Sequence, residues 1–145
     1  MSADARRQQI DIVRSMWDAI ERPDLDAFLD LFTEDAELHS AWSSIEGVGP
    51  YRGRGGLEKW WTGFLLETVD TYEGEVEQAI SVDDVVLALV RVHGEGAGSG
   101  FRISREVGQL FRLDGERISR LSVHLDPADA FSEAGSELAG RSGDG

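Results

Sequence analysis

The sequence predicts an α+β domain in which helices near the N-terminus cover a curved antiparallel sheet. Two observations lead to this class. Apolar residues recur at helical spacing up to about residue 68, and beyond it they alternate with polar residues as in strands. The alternating segments follow one another directly along the chain, which is typical of an antiparallel meander. Helices that precede such a sheet must bury their apolar sides against it.

The size and composition indicate one domain. The chain has 145 residues, enough for a single hydrophobic core. We assign residues 1–134 to this domain and residues 135–145, which are small and polar, to a flexible C-terminal tail. The sequence contains no cysteine, so disulfides, thiolate metal sites and a cysteine nucleophile are excluded.

The charge and the apolar runs exclude several classes of partner. Fourteen Lys and Arg residues stand against 28 Asp and Glu residues, which gives a formal net charge of -14. Such a chain repels the phosphates of nucleic acids and anionic lipids. The N-terminus lacks the apolar core of a signal peptide, and no run reaches the length of a membrane span. We therefore expect a cytoplasmic protein that binds neither nucleic acid nor membrane.

Three helices are predicted before the long strands. The first covers residues 3–21, and the Arg22-Pro23-Asp24 segment ends it, with Asp24 as the N-cap of the second. The third covers residues 57–68 and carries an unusually wide aromatic stripe. The apolar positions of the three helices are Ile10, Val13, Trp17 and Ile20, then Leu25, Phe28, Leu29 and Phe32, then Leu57, Trp60, Trp61, Phe64 and Leu65.

A short strand at residues 36–40 is followed by a long loop, residues 41–56, which has five glycines. Loops of this length are commonly functional. Because Trp42 lies in the loop and not on a periodic face, we expect it to form a lid over a pocket. Long strands follow at residues 71–81, 84–95 and 101–113, and the second of these is apolar on both faces around Val85 to Val92, as in a covered central strand.

The last two strands form a hairpin at Asp114-Gly115, a strong turn signal. A two-residue loop there would place Leu113 opposite Glu116 and mix charged and apolar groups on both faces. A three-residue loop with Gly115 in the left-handed conformation separates them, and we predict that register. Its pairs are Val107 with Val123, Gln109 with Leu121, Phe111 with Ser119, Glu106 with His124, and Leu110 with Arg120.

One face of the predicted hairpin is almost wholly apolar and suits the wall of a pocket. Its single polar group is Gln109, while Arg91 and His93 interrupt one face of the preceding strand. Ligand pockets are mostly apolar with a few placed polar groups, and these three side chains fit that description. The apolar wall consists of Val107, Phe111, Leu121, Val123 and Leu125.

Three segments carry a resemblance to a known family. They are IVRSMWDAIERPDLDAFLDLFTEDAELHS, YRGRGGLEKWW and FRLDGERISRLSVHLDPADAF. Together they resemble the SnoaL-like branch of the nuclear-transport-factor-2-like (NTF2-like) superfamily over nearly the whole chain. The resemblance implies a cone-shaped α+β barrel with a deep cavity, a small hydrophobic ligand and a homodimer formed through the outer sheet face. Members include polyketide cyclases, ketosteroid isomerases and limonene epoxide hydrolases, so the fold alone does not select a function.

The catalytic residues of two of these enzymes are not retained. The resemblance places the general-base aspartate of the ketosteroid isomerases on Ser40, the oxyanion-hole tyrosine on Met16 and the protonated aspartate on Gln109. A serine is not basic enough to take a proton from carbon, and a thioether donates no hydrogen bond. For the epoxide hydrolases, the Arg-x-Asp pair resembles Arg91-Val92-His93, and the second aspartate falls near Val123, so both acids are missing.

Two functions therefore remain as hypotheses. In the first, His93 acts as a general base while Arg91 or Gln109 stabilises a developing oxyanion, in a cyclase, isomerase or lyase step on a polyketide-, terpene- or steroid-like molecule. In the second, the cavity only binds such a molecule, or the protein is a dimeric accessory protein. The expected ligand contacts are Trp17, Ser40, Trp42, Trp60, Trp61, Phe64, Val107, Phe111, Leu121, Val123 and Leu125.

His124 and His39 are predicted to lie outside the catalytic group, and the sequence predicts no cofactor or metal. His124 should face outward with Glu106 as its partner, in an ion pair or a dimer contact. His39 could reach the cavity mouth, although its position in the short strand alternates with Leu38 and Ser40. The three histidines lack the spacing of zinc ligands. The glycine-rich loop lacks the Lys and Ser or Thr of a phosphate-binding loop.

Overall fold

The computed structural model describes residues 2–41, 49–66, 69–96 and 102–142. The helices are α1 (Ala3–Glu21), α2 (Leu25–Asp30), α3 (Gly53–Trp60), which continues as a π-helical segment (Trp61–Leu66), and α4 (Pro127–Ser142). The strands are β1 (Phe32–Ser40), β2 (Tyr51–Arg52), β3 (Val69–Val82), β4 (Val85–Gly96), β5 (Arg102–Asp114) and β6 (Arg117–His124). The α+β class is confirmed, with the helices of the N-terminal half preceding four consecutive long strands.

The helix boundaries follow local capping. Ser2 caps α1, because its Oγ accepts a hydrogen bond from the backbone N–H of Ala5 at 3.1 Å. Asp24 caps α2 as predicted, with Oδ1 accepting from the N–H of Ala27 at 3.1 Å. Helix α3 begins four residues earlier than predicted, at Gly53, whose φ of 68° lies in the left-handed region that glycine adopts most readily.

The six strands form one open sheet in the order β2-β1-β6-β5-β4-β3. All neighbours are antiparallel except β1 and β6, which are parallel. The antiparallel arrangement predicted for the long strands is confirmed, and β1 joins them through a parallel pairing with β6 that the sequence did not predict. Alternation in a short strand predicts which side chains share a face but carries no information on the direction of its partner, so the sequence could not settle this point.

The β5–β6 hairpin has a tighter turn than predicted. Asp114 pairs with Arg117 around Gly115-Glu116, and Gly115 has the expected positive φ, 64°. A bulge at Arg112/Leu113 then shifts the register, and the Oγ of Ser119 donates to the carbonyl of Arg112 at 3.1 Å. The resulting pairs include Gln109 with Val123 and Phe111 with Leu121.

The predicted pairs of this hairpin are therefore wrong by two residues, but the predicted faces are right. A shift by two leaves each side chain on its original side of the sheet, because side chains alternate with a period of two. Gln109, Phe111, Leu121 and Val123 thus share the inner face, towards the N-terminal helices, as expected.

Strand β4 is covered on both faces, as its sequence predicted. Val86, Ala88, Val90 and Val92 point inward into the main core. Val85 and Leu87 point outward into a second apolar cluster beneath α4, and that cluster also contains Leu110, Ala130 and Ala134, with Leu138 packed against it.

The C-terminal helix is longer than predicted. We expected a short helix at residues 127–134 and a tail beyond it, but α4 continues to Ser142. Ala130, Ala134 and Leu138 recur at intervals of four, so one side of the helix stays apolar past residue 134. Helix α4 also occupies part of the outer sheet face that the predicted homodimer would use. The side chains of Ile80 and Val82, which are 54% and 42% exposed, lie on the outer face of β3.

Candidate functional site

The inner face of the sheet and the N-terminal helices enclose a small, mostly apolar cavity of about 20 Å³. Such a volume holds about one water molecule. The deep cavity that the resemblance implies is thus not open in this structure. The cavity is lined by Met16, Trp17, Ile20, Phe28, Leu38, Ser40, Trp60, Tyr72, Gln109, Leu121 and Val123.

Aromatic side chains fill the space that a wider cavity would need. Trp60 and Trp61 both meet Phe28 edge-on, with ring centroids at 5.5 and 5.1 Å. Phe64 stacks on Trp60 at 5.7 Å and meets Tyr72 edge-on at 5.0 Å. The helical stripe of α3 therefore forms core packing between the sheet and α2, as aromatic stripes commonly do.

A buried hydrogen bond supplies the main polar feature of the cavity. The indole N–H of Trp17 donates to Oε1 of Gln109 at 3.0 Å, and the two residues are 3% and 2% exposed. Ser40 and Gln109 stand in one row across the sheet, on either side of Val123. These polar groups lie on strands and a long helix, so their positions are fixed by the fold.

Gly74 of β3 permits this arrangement. A Cβ at this position would lie 2.5 Å from Cε3 of Trp17 and within 2.7 Å of two further indole carbons. The indole therefore lies directly against the backbone of β3, and its other edge reaches Gln109 on β5. Tyr72, two residues earlier on the same face, packs against Trp17 with ring centroids 5.5 Å apart.

His93 and Arg91 do not join Gln109 in the cavity. Both point to the outer face of β4, because the inward side chains of that strand are Val90 and Val92. His93 is exposed, and its Nδ1 lies 3.2 Å from Oγ of Ser104. Nε of Arg91 lies 3.6 Å from a carboxylate oxygen of Glu77. The predicted convergence of these three side chains on one cavity is wrong, since a strand apolar on both faces leaves the direction of its polar residues undetermined.

The other predicted ligand contacts lie in different parts of the structure. Trp17, Ser40, Trp60, Leu121 and Val123 line the inner cavity. Trp61, Phe64, Val107 and Phe111 pack in the surrounding core without lining the cavity. Leu125 lies beyond the end of β6 and faces a different, outer cleft, so its assignment to the cavity wall is wrong. Trp42 lies outside the described residues.

Several residues that line the cavity were not predicted from the sequence to do so. Met16 and Ile20 come from α1; the resemblance had aligned Met16 with an oxyanion-hole tyrosine, and Ile20 looked like an ordinary core position. Tyr72 was identifiable from alternation alone, because it shares the inward face of β3 with Gly74 and Val76. Phe28 and Leu38 also line the cavity.

A larger cleft of about 690 Å³ lies on the outer side of the sheet, where α4 leaves β1 and β6 uncovered. Its floor includes His39, Arg120, Ser122 and His124, which point outward from paired strands. Its lining is completed by Ser40, Ala41, Val123, Leu125, Asp126, Asp129, Glu133, Ser136 and Glu137.

Glu133 of α4 ties the helix to the floor of this cleft. One carboxylate oxygen accepts from Oγ of Ser122 at 3.1 Å, and the other lies 2.5 Å from Nε2 of His124. His124 faces outward as predicted, but its partner is Glu133. Glu106 is not opposite it, because the observed register pairs His124 with Gly108.

His39 also points outward, into the cleft, and not to the mouth of the inner cavity. Its Nε2 lies 3.6 Å from a carboxylate oxygen of Glu37. Burial and the nearby Arg120 guanidinium lower the pKa of His39 below its ordinary value of 6.5, while Glu37 and Glu133 act in the opposite direction. The imidazole is therefore mainly neutral at pH 7.

This shift gives a pH-dependent contribution to stability. In the folded chain His39 has a lower pKa than in the unfolded chain, so the unfolded chain binds the proton first as the pH falls below about 6.5. We expect the wild type to lose more unfolding free energy than His39→Gln between about pH 7.5 and pH 5.5, the range in which histidines titrate.

Urea unfolding of both proteins across that range measures the difference. His93 and His124 are common to the two proteins and cancel in the comparison. The charged groups facing His39 are Glu37, Arg52, Arg120 and Glu133, and they also stay unchanged. Equal loss of stability in both proteins would contradict the prediction.

Two further features of the described residues concern metals and membranes. They contain no group of three His, Asp or Glu side chains placed to hold a metal ion. None of their helices combines the length and the apolar character needed to span a membrane.

Several solved structures share this fold. An NTF2-like protein of unknown function from Burkholderia pseudomallei is 17% identical, with a TM-score of 0.72 over 89% of this chain and 95% of that protein. A Catenulispora acidiphila protein with a ketosteroid isomerase-like fold, in complex with trimethylamine, is 18% identical, with a TM-score of 0.66 over 78% of this chain and 83% of that one.

A Mycobacterium tuberculosis protein in complex with estradiol-17beta-hemisuccinate is 15% identical, with a TM-score of 0.69 over 82% of this chain and 94% of that protein. At these identities the likeness establishes the fold alone. The comparison with curated proteins gave no match.

The family model for the SnoaL-like domain matches residues 13–121. That span runs from the middle of α1 into β6 and includes the residues of α1 and β5 that form the Trp17–Gln109 hydrogen bond. Together with the NTF2-like fold, this match confirms the resemblance read from the sequence, and the chain belongs to the SnoaL-like domain family.

Proposed function

We propose that this protein binds a small hydrophobic molecule, of polyketide, terpene or steroid type, in the inner cavity between α1, α3 and the sheet. The observation that carries the proposal is the buried Trp17–Gln109 hydrogen bond in an otherwise apolar interior. The amide of a glutamine has two N–H donors besides its carbonyl oxygen. In the proposal these donors orient a ligand carbonyl or hydroxyl group.

The cavity must widen before a ligand can enter, because its volume of about 20 Å³ is far below the usual 300–1,000 Å³ of ligand pockets. We place this movement at Trp60 and Phe64. Their rings stack at the point where α3 changes into the π-helical segment, and such segments are often found at functional sites. Displaced rings would expose apolar surface for the ligand to cover.

The composition of the cavity favours binding over acid–base catalysis. Its described lining residues include no carboxylate, imidazole or amine, and their one phenol is that of Tyr72. General acid–base catalysis needs a group with a suitable pKa within hydrogen-bonding reach of the substrate. The SnoaL-like fold also occurs in a neighbour that is in complex with estradiol-17beta-hemisuccinate, a mainly apolar molecule with a polar end. A homodimer and a cytoplasmic location remain predictions.

A thermal-shift screen tests the proposal directly. Steroids, terpenes and aromatic polyketides are added at saturating concentration, and we expect at least one class to raise Tm. A ligand at 100 times its Kd stabilises the folded state by about 2.7 kcal/mol. If no compound in the three classes raises Tm, the proposal is wrong.

A variant then tests the role of Gln109. Gln109→Leu is expected to weaken binding of a ketosteroid about tenfold, the loss of one hydrogen bond, without weakening binding of the matching steroid hydrocarbon. Gln78→Leu is the matched control, since Gln78 is exposed on the outer face of β3. Circular dichroism confirms that each variant is folded. Equal loss of affinity for both steroids would contradict the role of the amide.

A further inference from the structure

The amide of Gln109 has one end that no protein group satisfies. The indole N–H of Trp17 can only donate a hydrogen bond, so the amide atom 3.0 Å from it must be the oxygen, Oε1. This bond fixes the orientation of the amide and leaves Nε2 at the end that faces away from the indole N–H. No described residue accepts a hydrogen bond from Nε2. Its two N–H donors are therefore available to another molecule.

The nitrogen of this amide borders the inner cavity. Four polar side-chain atoms of the described residues are closed off without a partner, and Nε2 of Gln109 is not one of them. Gln109 is only 2% exposed, and it lines the inner cavity, so the accessible surface of Nε2 faces that cavity. Buried donors without a protein partner are uncommon, and an ordered water or a ligand is the usual reason for one.

The inner cavity has the size of one water molecule. Its volume of about 20 Å³ exceeds the ~10–15 Å³ that one water needs. A water in a protein interior also needs at least two polar partners. Besides Gln109, the lining includes the hydroxyl groups of Ser40 and Tyr72. A hydroxyl group both donates and accepts hydrogen bonds, so each of these can bond a water in addition to another group.

A dry cavity is the alternative, and the chemistry of Gln109 disfavours it. Cavities stay dry when their lining is apolar throughout. In a dry cavity the donors of Nε2 would stay unsatisfied in an apolar interior, and that costs more than holding one water in place. A water molecule is therefore expected at the amide of Gln109.

We propose that the inner cavity holds one ordered water molecule that accepts a hydrogen bond from Nε2 of Gln109, and that an oxygen atom of the ligand replaces this water. The first part concerns the free protein and needs no ligand. The second part rests on the proposed function and specifies it, because the ligand must carry a carbonyl or hydroxyl oxygen on the part that reaches Gln109. Such an oxygen restores the hydrogen bond of the displaced water, whereas a hydrocarbon does not.

NMR of the full chain without ligand tests the first part. We expect nuclear Overhauser effects (NOEs) between water and at least one methyl group of Met16, Leu38 and Leu121, which line the cavity. Their sign should be that of a water molecule that tumbles with the protein. The methyl groups of Val90 and Val92 are buried outside the lining and should show no such NOE. Absence of water NOEs from all three lining residues would overturn the proposal.

A matched pair of variants locates the water. Val123 pairs with Gln109 across the sheet and lines the cavity, so the methyl group added by Val123→Ile takes up the space of the water. Val90→Ile adds the same group in the core outside the lining. We expect the first variant to lose the water NOEs and the second to retain them, with circular dichroism to confirm that both are folded.

The same pair separates a water from exchanging hydroxyl protons. Val123→Ile retains Ser40 and Tyr72, whose hydroxyl protons exchange with solvent and could also give such NOEs. NOEs that survive Val123→Ile would therefore come from these hydroxyl groups, and they would overturn the proposal. Equal loss in both variants would also contradict it, because the NOEs would then not depend on the space in the cavity.

Two steroids test the second part. They are progesterone, which carries ketone groups, and pregnane, a hydrocarbon with the same ring skeleton. We expect progesterone to remove the water NOEs and to bind about tenfold more tightly than pregnane, the effect of one hydrogen bond. Pregnane should leave the NOEs in place. Equal affinities, or water NOEs that persist with progesterone bound, would overturn this part.

The outcomes separate this inference from the proposed function. If no steroid, terpene or polyketide raises Tm, the proposed function fails and the second part fails with it, while the water NOEs of the free protein are still expected. If ligands bind but the free protein shows no water NOEs, only the inference is wrong.

Discussion

Gly74→Ala is expected to lower the free energy of unfolding by about 1–3 kcal/mol, the usual effect of overpacking a core. The added Cβ would lie 2.5 Å from Cε3 of Trp17, a buried ring that cannot turn away without displacing its neighbours. The indole must then leave its place against β3 and its hydrogen bond to Gln109. Chemical denaturation measures the first effect, and the NMR resonance of the Trp17 indole N–H measures the second.

Gly94→Ala is the matched control. Gly94 stands opposite Tyr72 on the neighbouring strand, and its Cβ would approach the carbonyl oxygen of Thr71 only to 3.1 Å. We expect a smaller loss of stability and an unchanged indole resonance. If the two variants lose the same stability and the Trp17 resonance does not move in either, the indole is not held by Gly74.

Gly108→Ala is expected to cause a loss of similar size, about 1–3 kcal/mol, on the opposite face of the sheet. Its Cβ would lie 2.6 Å from Cβ of Ala130 and 3.0 Å from Cα of Pro127. Helix α4 must therefore move away from β5 at its N-terminal end. Hydrogen exchange of the α4 amides should become faster, while exchange of the amides in α1 should not.

The double variant Gly108→Ala/Ala130→Gly separates crowding from other effects. It removes the methyl group at the closest contact, so we expect it to recover part of the stability that Gly108→Ala loses. The two substitutions should thus be non-additive, as for residues in direct contact. Gly135→Ala, at an exposed position of α4 with nothing within 4 Å, is the control and should stabilise the helix by about 0.5–1 kcal/mol. Additive effects would show that Ala130 is not the source of the loss.

Local patterns in the sequence determined much of the inner site. Helical spacing placed Trp17 on the buried side of α1, and the Asp-Gly turn with alternating residues placed Gln109 on the apolar face of β5. That face was right although the register was wrong by two residues, because a shift of two preserves the side on which each residue lies. The family resemblance also came from these local segments, and the SnoaL-like match over residues 13–121 confirms it.

Only the tertiary structure decided where the polar residues of β4 point and how α4 packs. Val85 to Val92 are apolar on both faces, so the pattern did not specify which face would carry Arg91 and His93. The contacts on the outer face of the sheet depend on the position of α4. This helix covers Leu87 and Leu110 and brings Glu133 to Ser122 and His124.

The inner cavity and the outer cleft also differ in how far the sequence predicts them. Trp17 and Gln109 lie far apart in the chain, but the hydrophobic periodicity of the segment around each residue predicts that its side chain is buried. The outer cleft forms because β1 lies parallel to β6 and because α4 leaves the outer face of these two strands uncovered. Periodicity reports whether a side chain is buried, but it does not report which distant segment buries it, because that depends on the packing of the whole chain.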